Sequence, residues 1–287
     1  MPIDVGKVVG ARLPDLDTSW DEAKVILYHL GVGAGDPPTS DSELSYCYEP
    51  NLKVLPSFAT IPPFEAMAHV PGLDGLDLNP MLLLHGEHEV DIHRPLPVTA
   101  SVHTVSQITG VYDKGKAALI VVESISSDQA GPLFTNRASI FARGEGGFDQ
   151  ARTGQVASEG EAYLPDRAAD LVVEATTIPQ QALLYRLSGD RNPLHADPAF
   201  AAFGGFDRPI LHGLCSFGMV CKAVVDHALG GQSTSVASYR ARFAGVVFPG
   251  ETLVISMWKE AELVHVEATT RERSLPVLTN AYVRLRV

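Results

Sequence analysis

LCSFGMVCKAVVDHAL, residues 214–229, is the stretch from which the fold can be read. Apolar residues lie on almost every side of a helix built from it. Gly230 and Gly231 follow directly, and glycines commonly follow the last residue of a helix. A helix that is apolar nearly all round is buried rather than surface-lying. The stretch therefore predicts one buried central helix.

Segments with the alternation typical of β-strands lie on both sides of this helix. They are rich in β-branched residues and comprise 118–126, 137–143, 252–258, 263–271 and 279–287. Several antiparallel strands beside a buried helix predict a sheet wrapped around that helix. The expected fold class is therefore α+β.

Three pairs of similar segments occur in the same order in the two halves of the chain. The first pair lies at the end of helical runs, at 28–30 and 185–187. The second pair carries a Pro-containing turn into a strand, at 93–102 and 247–256. The third pair shares a Thr-Asn dipeptide, at 133–141 and 277–285. Conserved order with slowly drifting spacing is what duplication followed by loop insertions leaves. The sequence therefore predicts an internal repeat.

The polar, Gly-rich segment between the halves has no hydrophobic period, as expected of a linker. We place an N-terminal half at 1–147, the linker at 148–165 and a C-terminal half at 166–287. The first half's counterpart of the central helix, SFATIPPFEAMAHVPG, is interrupted by Pro62 and Pro63. We therefore expect an intact C-terminal half and an eroded N-terminal half.

Composition excludes several classes of function. The chain has 287 residues with 45% hydrophobic content, and its net charge of −12 disfavours binding to nucleic acid or anionic membranes. No apolar run is long enough for a membrane span, and no signal peptide is recognisable at the start. Three cysteines without CxxC spacing indicate neither disulfides nor a zinc site. A cytoplasmic location is predicted.

The segment Gly189–His195, GDRNPLH, concentrates groups that can do acid–base chemistry. Asp190, Asn192 and His195 lie in one loop, where Pro193 prevents a helix from continuing. A carboxylate and an imidazole facing one small volume can hold and activate a water molecule. The alternative is that these residues only stabilise turns through side-chain bonds to the backbone.

A second element, RPILHGL, leads from this loop into the central helix. Gly213 stands at the helix start, where a backbone N–H has no partner within the helix and a ligand can approach closely. Such an N–H is a natural donor to an oxygen that gains negative charge during a reaction. The alternative is an ordinary glycine that permits a tight helix entry.

These motifs carry a family resemblance. GDRNPLH followed by PILHGL resembles the signature of the MaoC-like type 2 (R-specific) enoyl-CoA hydratases. LYHLGVGAGDPP, LLLHGEHEVDIHRPLP and YDKGKAALIVV resemble the N-terminal half of the hydratase unit in peroxisomal multifunctional enzyme type 2. The resemblance implies a double hot-dog fold, in which two antiparallel sheets, each around a central helix, form a pseudo-dimer within one chain.

The resemblance also implies an activity and a set of site residues. The expected reaction is hydration of a trans-2-enoyl-CoA to a (3R)-3-hydroxyacyl-CoA, with Asp190 and His195 catalytic, Asn192 positioning and Gly213 donating the oxyanion N–H. Substrate contacts would come from these four and from His85, Gly86, Lys114 and Phe243. The N-terminal half would shape the acyl pocket. A homodimer is expected, with no metal and no cofactor beyond the coenzyme A of the substrate.

Several alternatives stay open at this point. The chain could be a hot-dog thioesterase, or a non-catalytic subunit that binds acyl-CoA, because fold alone does not decide function. The acyl group could be a steroid side chain or a straight fatty chain. Within the pair, we favour Asp190 as base and His195 as proton donor. His85 and His88 are not expected to bind metal, because strand positions 85 and 88 should face opposite sides.

Overall fold

The computed structural model describes residues 3–79, 82–148 and 164–286, so residues 149–163 of the predicted linker lie outside the described residues. The α-helices are α1 (Val5–Val8), α2 (Glu22–Gly31), α3 (Asp41–Cys47), α4 (Gln181–Tyr185), α5 (Pro198–Phe203) and α6 (Gly213–Ala223). The strands are β1 (Leu16–Trp20), β2 (Leu83–Ile92), β3 (Ala100–Asp113), β4 (Ala117–Asp128), β5 (Gly131–Arg143), β6 (Leu171–Thr176), β7 (Val236–Phe243), β8 (Thr252–Glu260), β9 (Leu263–Thr270) and β10 (Pro276–Leu285).

The strands form one antiparallel sheet with an internal repeat. Their order is β1-β3-β4-β5-β2-β7-β10-β9-β8-β6, so the first five strands and the last five follow the same path from opposite edges. This confirms the double hot-dog fold and the pseudo-dimer within one chain. The two expected sheets are continuous, because β2 pairs with β7.

The three sequence pairs that indicated duplication lie on equivalent elements of this repeat. The end of α2 corresponds to the end of α4, β3 corresponds to β8, and β5 corresponds to β10. The domain boundaries at 147 and 166 stay predictions. The assignment of acyl binding to the N-terminal half and of catalysis to the C-terminal half stays a prediction as well. Among the described residues, no helix has the length and apolar character that crossing a bilayer requires.

The seam between the halves is held by charge as well as by strand pairing. Glu87 on β2 lies opposite Arg242 on β7. Its carboxylate accepts hydrogen bonds from Arg242 Nε at 2.8 Å and from Arg240 Nη2 at 2.9 Å. A carboxylate shared by two guanidinium groups fixes the register of the two strands, since a shift by one residue would turn these side chains to opposite faces.

The central helix is α6, and it is buried along almost its whole length. It begins one residue earlier than the quoted stretch, and its last turn, Val224–Ala228, is a π-helix rather than an α-helix. Gly218 allows α6 to approach the end of α2, because a Cβ at this position would lie 2.5 Å from Val32 Cγ1. The C-terminal helix therefore packs directly against the N-terminal half.

At the place that corresponds to α6, the described residues of the N-terminal half form no continuous helix. Two 3-10 segments, Pro56–Thr60 and Phe64–Gly72, lie on either side of Pro62 and Pro63, as the interrupted sequence predicted. Each proline lacks the backbone N–H that a continuous helix would need. The segment from Pro56 to Pro63 is nevertheless buried, so it fills the place of a helix without providing a helix N-terminus.

Candidate active site

The loop that follows α4 is shaped by its own side chains. Gly189 adopts a φ of 145°, which a residue with a Cβ rarely does. Beyond it, Asp190 Oδ1 accepts the Asn192 N–H at 3.0 Å, and Asn192 Oδ1 accepts the Leu194 N–H at 3.0 Å. The turn-stabilising bonds of the alternative reading are therefore present. They also leave the second carboxylate oxygen of Asp190 free to face His195.

The His195 imidazole has a defined tautomer. Its Nδ1 lies 2.9 Å from the Ile210 carbonyl oxygen, which can only accept, so Nδ1 carries the proton and Nε2 presents a lone pair. Nε2 lies 4.0 Å from Asp190 Oδ2. Burial lowers the pKa of His195 although the Asp190 carboxylate opposes this shift, while the Arg186 guanidinium adds to it. The imidazole is therefore neutral at neutral pH.

His212 contacts both Asp190 and His195, the predicted catalytic pair, and the sequence did not point to it. Its ring stacks on His195 with centroids 3.7 Å apart, and its Nε2–H donates to the backbone carbonyl of Asp190 at 3.1 Å. Burial, helped by the neighbouring His195, lowers the pKa of His212 to about 2. The only sequence signal was its position directly before Gly213, since the stacking depends on how the chain folds back.

Gly213 begins α6 and is exposed, and no side chain caps this helix start. A Cβ at Gly213 would lie 3.1 Å from Phe243 Cδ1, so any larger residue would displace the phenylalanine ring. The Phe243 ring in turn lies 4.8 Å from the ring of His85. The structure thus brings Gly213, Phe243 and His85 together beside the catalytic loop.

The prediction that His85 and His88 face opposite sides of the strand is wrong. The pairing of β2 with β5 shifts register between His85 and Glu87, so Gly86 sits in a β-bulge. The extra residue turns both imidazoles to one side, where His88 Nδ1 lies 3.0 Å from His85 Nε2. A glycine inside a strand pattern was the sequence signal for this bulge.

Lys114 lies apart from the other candidate residues. It is exposed in the hairpin between β3 and β4, at the same end of the sheet as the start of β2. Three strand spacings separate β3 from β2, which is about 14 Å at the usual interstrand distance. Within the described part of the chain, its ammonium has no carboxylate partner. Lys114 can therefore meet only a distant part of an extended ligand.

Asp190, His195 and His212 also form a group that could hold a metal ion, with ligand atoms within 4.8 Å of one another. One feature opposes this reading. The stacked imidazoles direct their in-plane lone pairs side by side rather than to one point. The chemistry of the donor set fits proton transfer better, and the expected lack of a metal stays a prediction.

Fold and site together define a class of protein. A double hot-dog chain that holds a carboxylate and a neutral imidazole beside an uncapped helix start is built for acid–base chemistry on a substrate with a polarised carbonyl. An activated water serves both addition to a double bond and hydrolysis, so the site fits both reactions.

Comparison with known proteins identifies the family. Residues 19–144 match the MFE-2 hydratase 2 N-terminal domain, and residues 161–281 match the MaoC-like domain. The chain is 45% identical to the enoyl-CoA hydratase ChsH3 of Mycobacterium tuberculosis, covering 96% of both proteins. It is 40% identical to the peroxisomal enoyl-CoA hydratase 2 of Arabidopsis thaliana, covering 96% of this chain and 93% of the relative.

A solved structure agrees with these relatives. The MaoC-like dehydratase of Phytophthora capsici superimposes with a TM-score of 0.88 at 30% identity, covering 99% of this chain and 98% of the other. The chain belongs to the MaoC-like family of type 2 (R-specific) enoyl-CoA hydratases. This confirms the family resemblance that the sequence motifs indicated.

Replacing His212 tests whether it positions the pair. His212→Phe keeps an aromatic ring against His195 but removes the hydrogen bond to the Asp190 carbonyl, so we expect kcat on crotonyl-CoA to fall about 10- to 100-fold. The matched control is His265→Phe, which replaces a buried histidine on β9 whose Nε2 lies 3.5 Å from Glu260. Equal kcat in the His212 variant and the wild type, with both folded, would show that His212 has no positioning role.

Proposed function

We propose that this chain hydrates trans-2-enoyl-CoA thioesters to (3R)-3-hydroxyacyl-CoA in β-oxidation-type catabolism, using Asp190 and His195 as the catalytic pair. The observation that carries the proposal is the 4.0 Å separation of Asp190 Oδ2 and His195 Nε2. Two acceptors at this distance can each take one hydrogen bond from the same water. The named hydratase relatives, identical at 40–45% over nearly the whole chain, support the same reaction.

The helix start supplies the electrophilic side of the reaction. The backbone N–H of Gly213 donates to the thioester oxygen, which gains negative charge as the double bond is attacked. Donors of this kind contribute about 2.7–4 kcal/mol to transition-state stabilisation. Polarisation of the thioester makes C3 of the substrate electron-poor, and the water held by Asp190 and His195 attacks there.

We propose a direction of proton transfer opposite to the one that the sequence favoured. Neutral His195 has its one proton on Nδ1, engaged with the Ile210 carbonyl, so Nε2 has none to give at the start. His195 therefore acts as the acceptor. One O–H bond of the water breaks as its oxygen forms the C3–O bond. The released proton is held between His195 Nε2 and Asp190 Oδ2, and it then forms the C2–H bond. No further acid is needed.

Removing either member of the pair should stop turnover. Asp190→Asn and His195→Gln each keep a side chain of similar size but lose a proton acceptor, so kcat should fall by about 10²- to 10⁴-fold. Loss of enoyl absorbance with crotonyl-CoA measures this, and circular dichroism reports the fold. Wild-type turnover in either variant would refute the assignment.

The pH profile distinguishes the two orders of proton transfer. Because burial lowers the pKa of His195, the neutral form persists as pH falls through the ordinary histidine value of about 6.5. With His195 as acceptor, kcat/KM should stay level through that pH and decline only in more acidic buffer, where the ring gains a proton. If kcat/KM instead rises as pH falls below 6.5, His195 is the proton donor.

The thioesterase and the non-catalytic subunit remain as outcomes of a simple assay. A thiol reagent detects free coenzyme A, which hydrolysis releases and hydration does not. Loss of enoyl absorbance without free thiol supports the hydratase. Free thiol release indicates a thioesterase, and neither signal indicates a binding subunit.

We also propose that the acyl group is a steroid side chain. Support comes from GDRNPLH, RGEGGF and MVCKAVVD, which resemble the bacterial branch acting on such CoA esters. We expect kcat/KM for a steroid enoyl-CoA to exceed that of a linear enoyl-CoA of similar length at least about 10-fold. The reverse preference would assign the protein to straight-chain substrates.

Assembly and location are proposed on the sequence alone. A homodimer follows from the family resemblance, and a cytoplasmic location without nucleic-acid or membrane partners follows from the net charge of −12 and the cysteine pattern. Light scattering of the purified chain measures the oligomeric state directly.

A further inference from the structure

A cavity lies at the end of the central helix that is remote from the catalytic loop. Its volume is about 200 Å³, and three segments form it: the stretch 52–56, the turn 92–96 that follows β2, and Ser233 and Thr234 beyond the π-helical turn. Both halves of the chain therefore contribute walls to this cavity. The catalytic steps described above use none of these residues.

Two strands give the distance between the cavity and the active site. β2 runs from His85, which packs on Phe243, to Ile92 in the cavity wall. β7 begins at Val236, just after Thr234, and ends at Phe243, which covers Gly213. At the usual rise of a strand, either course spans roughly 20 Å. A ligand in this cavity therefore does not reach the catalytic pair.

Most of the cavity wall is apolar. Its apolar residues are Leu52, Val54, Pro56, Ile92, Pro95 and Leu96. An apolar cavity of about 150 Å³ is large enough to hold benzene. The present cavity therefore fits a compact apolar body of about seven carbon atoms.

Three polar side chains face the same cavity: Lys53, Ser233 and Thr234. Within the described part of the chain, none of the three side chains hydrogen-bonds to another protein group or forms an ion pair. Ser233 is only 7% exposed, and buried hydroxyl groups nearly always have a hydrogen-bond partner. An ammonium and two hydroxyl groups all offer donors, so the group that completes this site is a hydrogen-bond acceptor.

The charge of Lys53 is not balanced by the carboxylates beside it. Lys53 Nζ lies 5.7 Å from the centroid of the Tyr46 ring, and the Tyr46 hydroxyl donates to Asp226 at 2.6 Å. Asp226 and Glu43 are both paired with Lys222, at 2.8 Å and 2.7 Å. Their two negative charges are therefore already engaged with another ammonium, and Lys53 keeps its positive charge for a ligand.

A second cation stands behind the wall that Ile92 forms. Arg286 Nη2 donates to the Ile92 carbonyl at 2.7 Å, and Nη1 donates to the His93 carbonyl at 3.1 Å. Among the described residues, no carboxylate forms an ion pair with this guanidinium. The chain has a net charge of −12, so two cations without carboxylate partners at one cavity make a local site that attracts anions.

We propose that this cavity is a second ligand site, separate from the active site, that takes a monocarboxylate anion with a compact apolar body. The Lys53 ammonium and the hydroxyls of Ser233 and Thr234 bind the carboxylate, and the apolar wall holds the body. A carboxylate matches the single ammonium of the wall. A phosphate, with a charge near −2, would leave negative charge unbalanced beside apolar side chains. The site does not depend on which reaction the active site performs.

Calorimetry with two ligands of the same shape tests the charge of the site. We expect cyclohexanecarboxylate to bind the wild-type protein with a Kd of about 1 mM, and its neutral isostere cyclohexanecarboxamide to bind at least about 10-fold more weakly. Lys53→Met keeps the length of the side chain and should weaken carboxylate binding about 10-fold. Lys259→Met, which removes an equal charge from exposed β8, is the matched control and should bind like the wild type.

Three outcomes of this experiment would overturn the proposal. They are the absence of saturable carboxylate binding, equal binding of the acid and the amide, and equal loss of binding in the Lys53 and Lys259 variants. The last outcome would show a response to net charge rather than to a site.

NMR of isoleucine methyl groups tests the location. Ile92 lines the cavity, whereas Ile210 lies beside the active site, where its carbonyl accepts from His195. Cyclohexanecarboxylate should shift the Ile92 methyl signal in the wild type and leave the Ile210 signal in place. A shift of Ile210 without a shift of Ile92 would place the anion in the active site and refute the proposal. Because no turnover is measured, the result is independent of the hydratase assignment.

Discussion

The pairing of β2 with β7 is the contact on which the site depends. These strands come from different halves, and Glu87 locks their register through Arg240 and Arg242. His85 lies just before the paired stretch of β2, and Phe243 ends the partner strand. The seam therefore places His85, a proposed substrate contact of the N-terminal half, directly beside the C-terminal helix start. Separate sheets would leave the site divided between two units.

The two halves differ in a feature that the proposed mechanism requires. Both contribute five strands to the sheet, but only the C-terminal half keeps an intact central helix within the described residues. Pro62 and Pro63 remove the corresponding helix in the other half, and with it the free N–H groups that a helix start provides. Within the described residues, the chain therefore has two hot-dog units and a single central-helix start, which carries the proposed oxyanion donor, Gly213.

The sequence predicts what is local and misses what depends on folding back. The all-round apolarity of 214–229 predicted the central helix, and GDRNPLH placed Asp190 and His195 in one loop. The His195–His212 stack joins two segments whose approach no local pattern encodes. The two-residue period of a strand predicted that His85 and His88 face opposite sides, but the β-bulge at Gly86 places both on the same side. Likewise, nothing in the strand patterns revealed that the two sheets would be joined.

The stacked imidazoles explain why a proton should not stay on the pair. Burial makes a charged His195 costly, and the Arg186 guanidinium adds to that cost while Asp190 offsets part of it. His212 cannot share the charge, because its own pKa lies near 2 and its Nε2–H is committed to the Asp190 carbonyl. In the proposed mechanism, a proton that His195 takes from water is therefore in a high-energy position. Its transfer to C2 would restore the neutral imidazole, so the environment that favours His195 as an acceptor would also drive the second step of the addition.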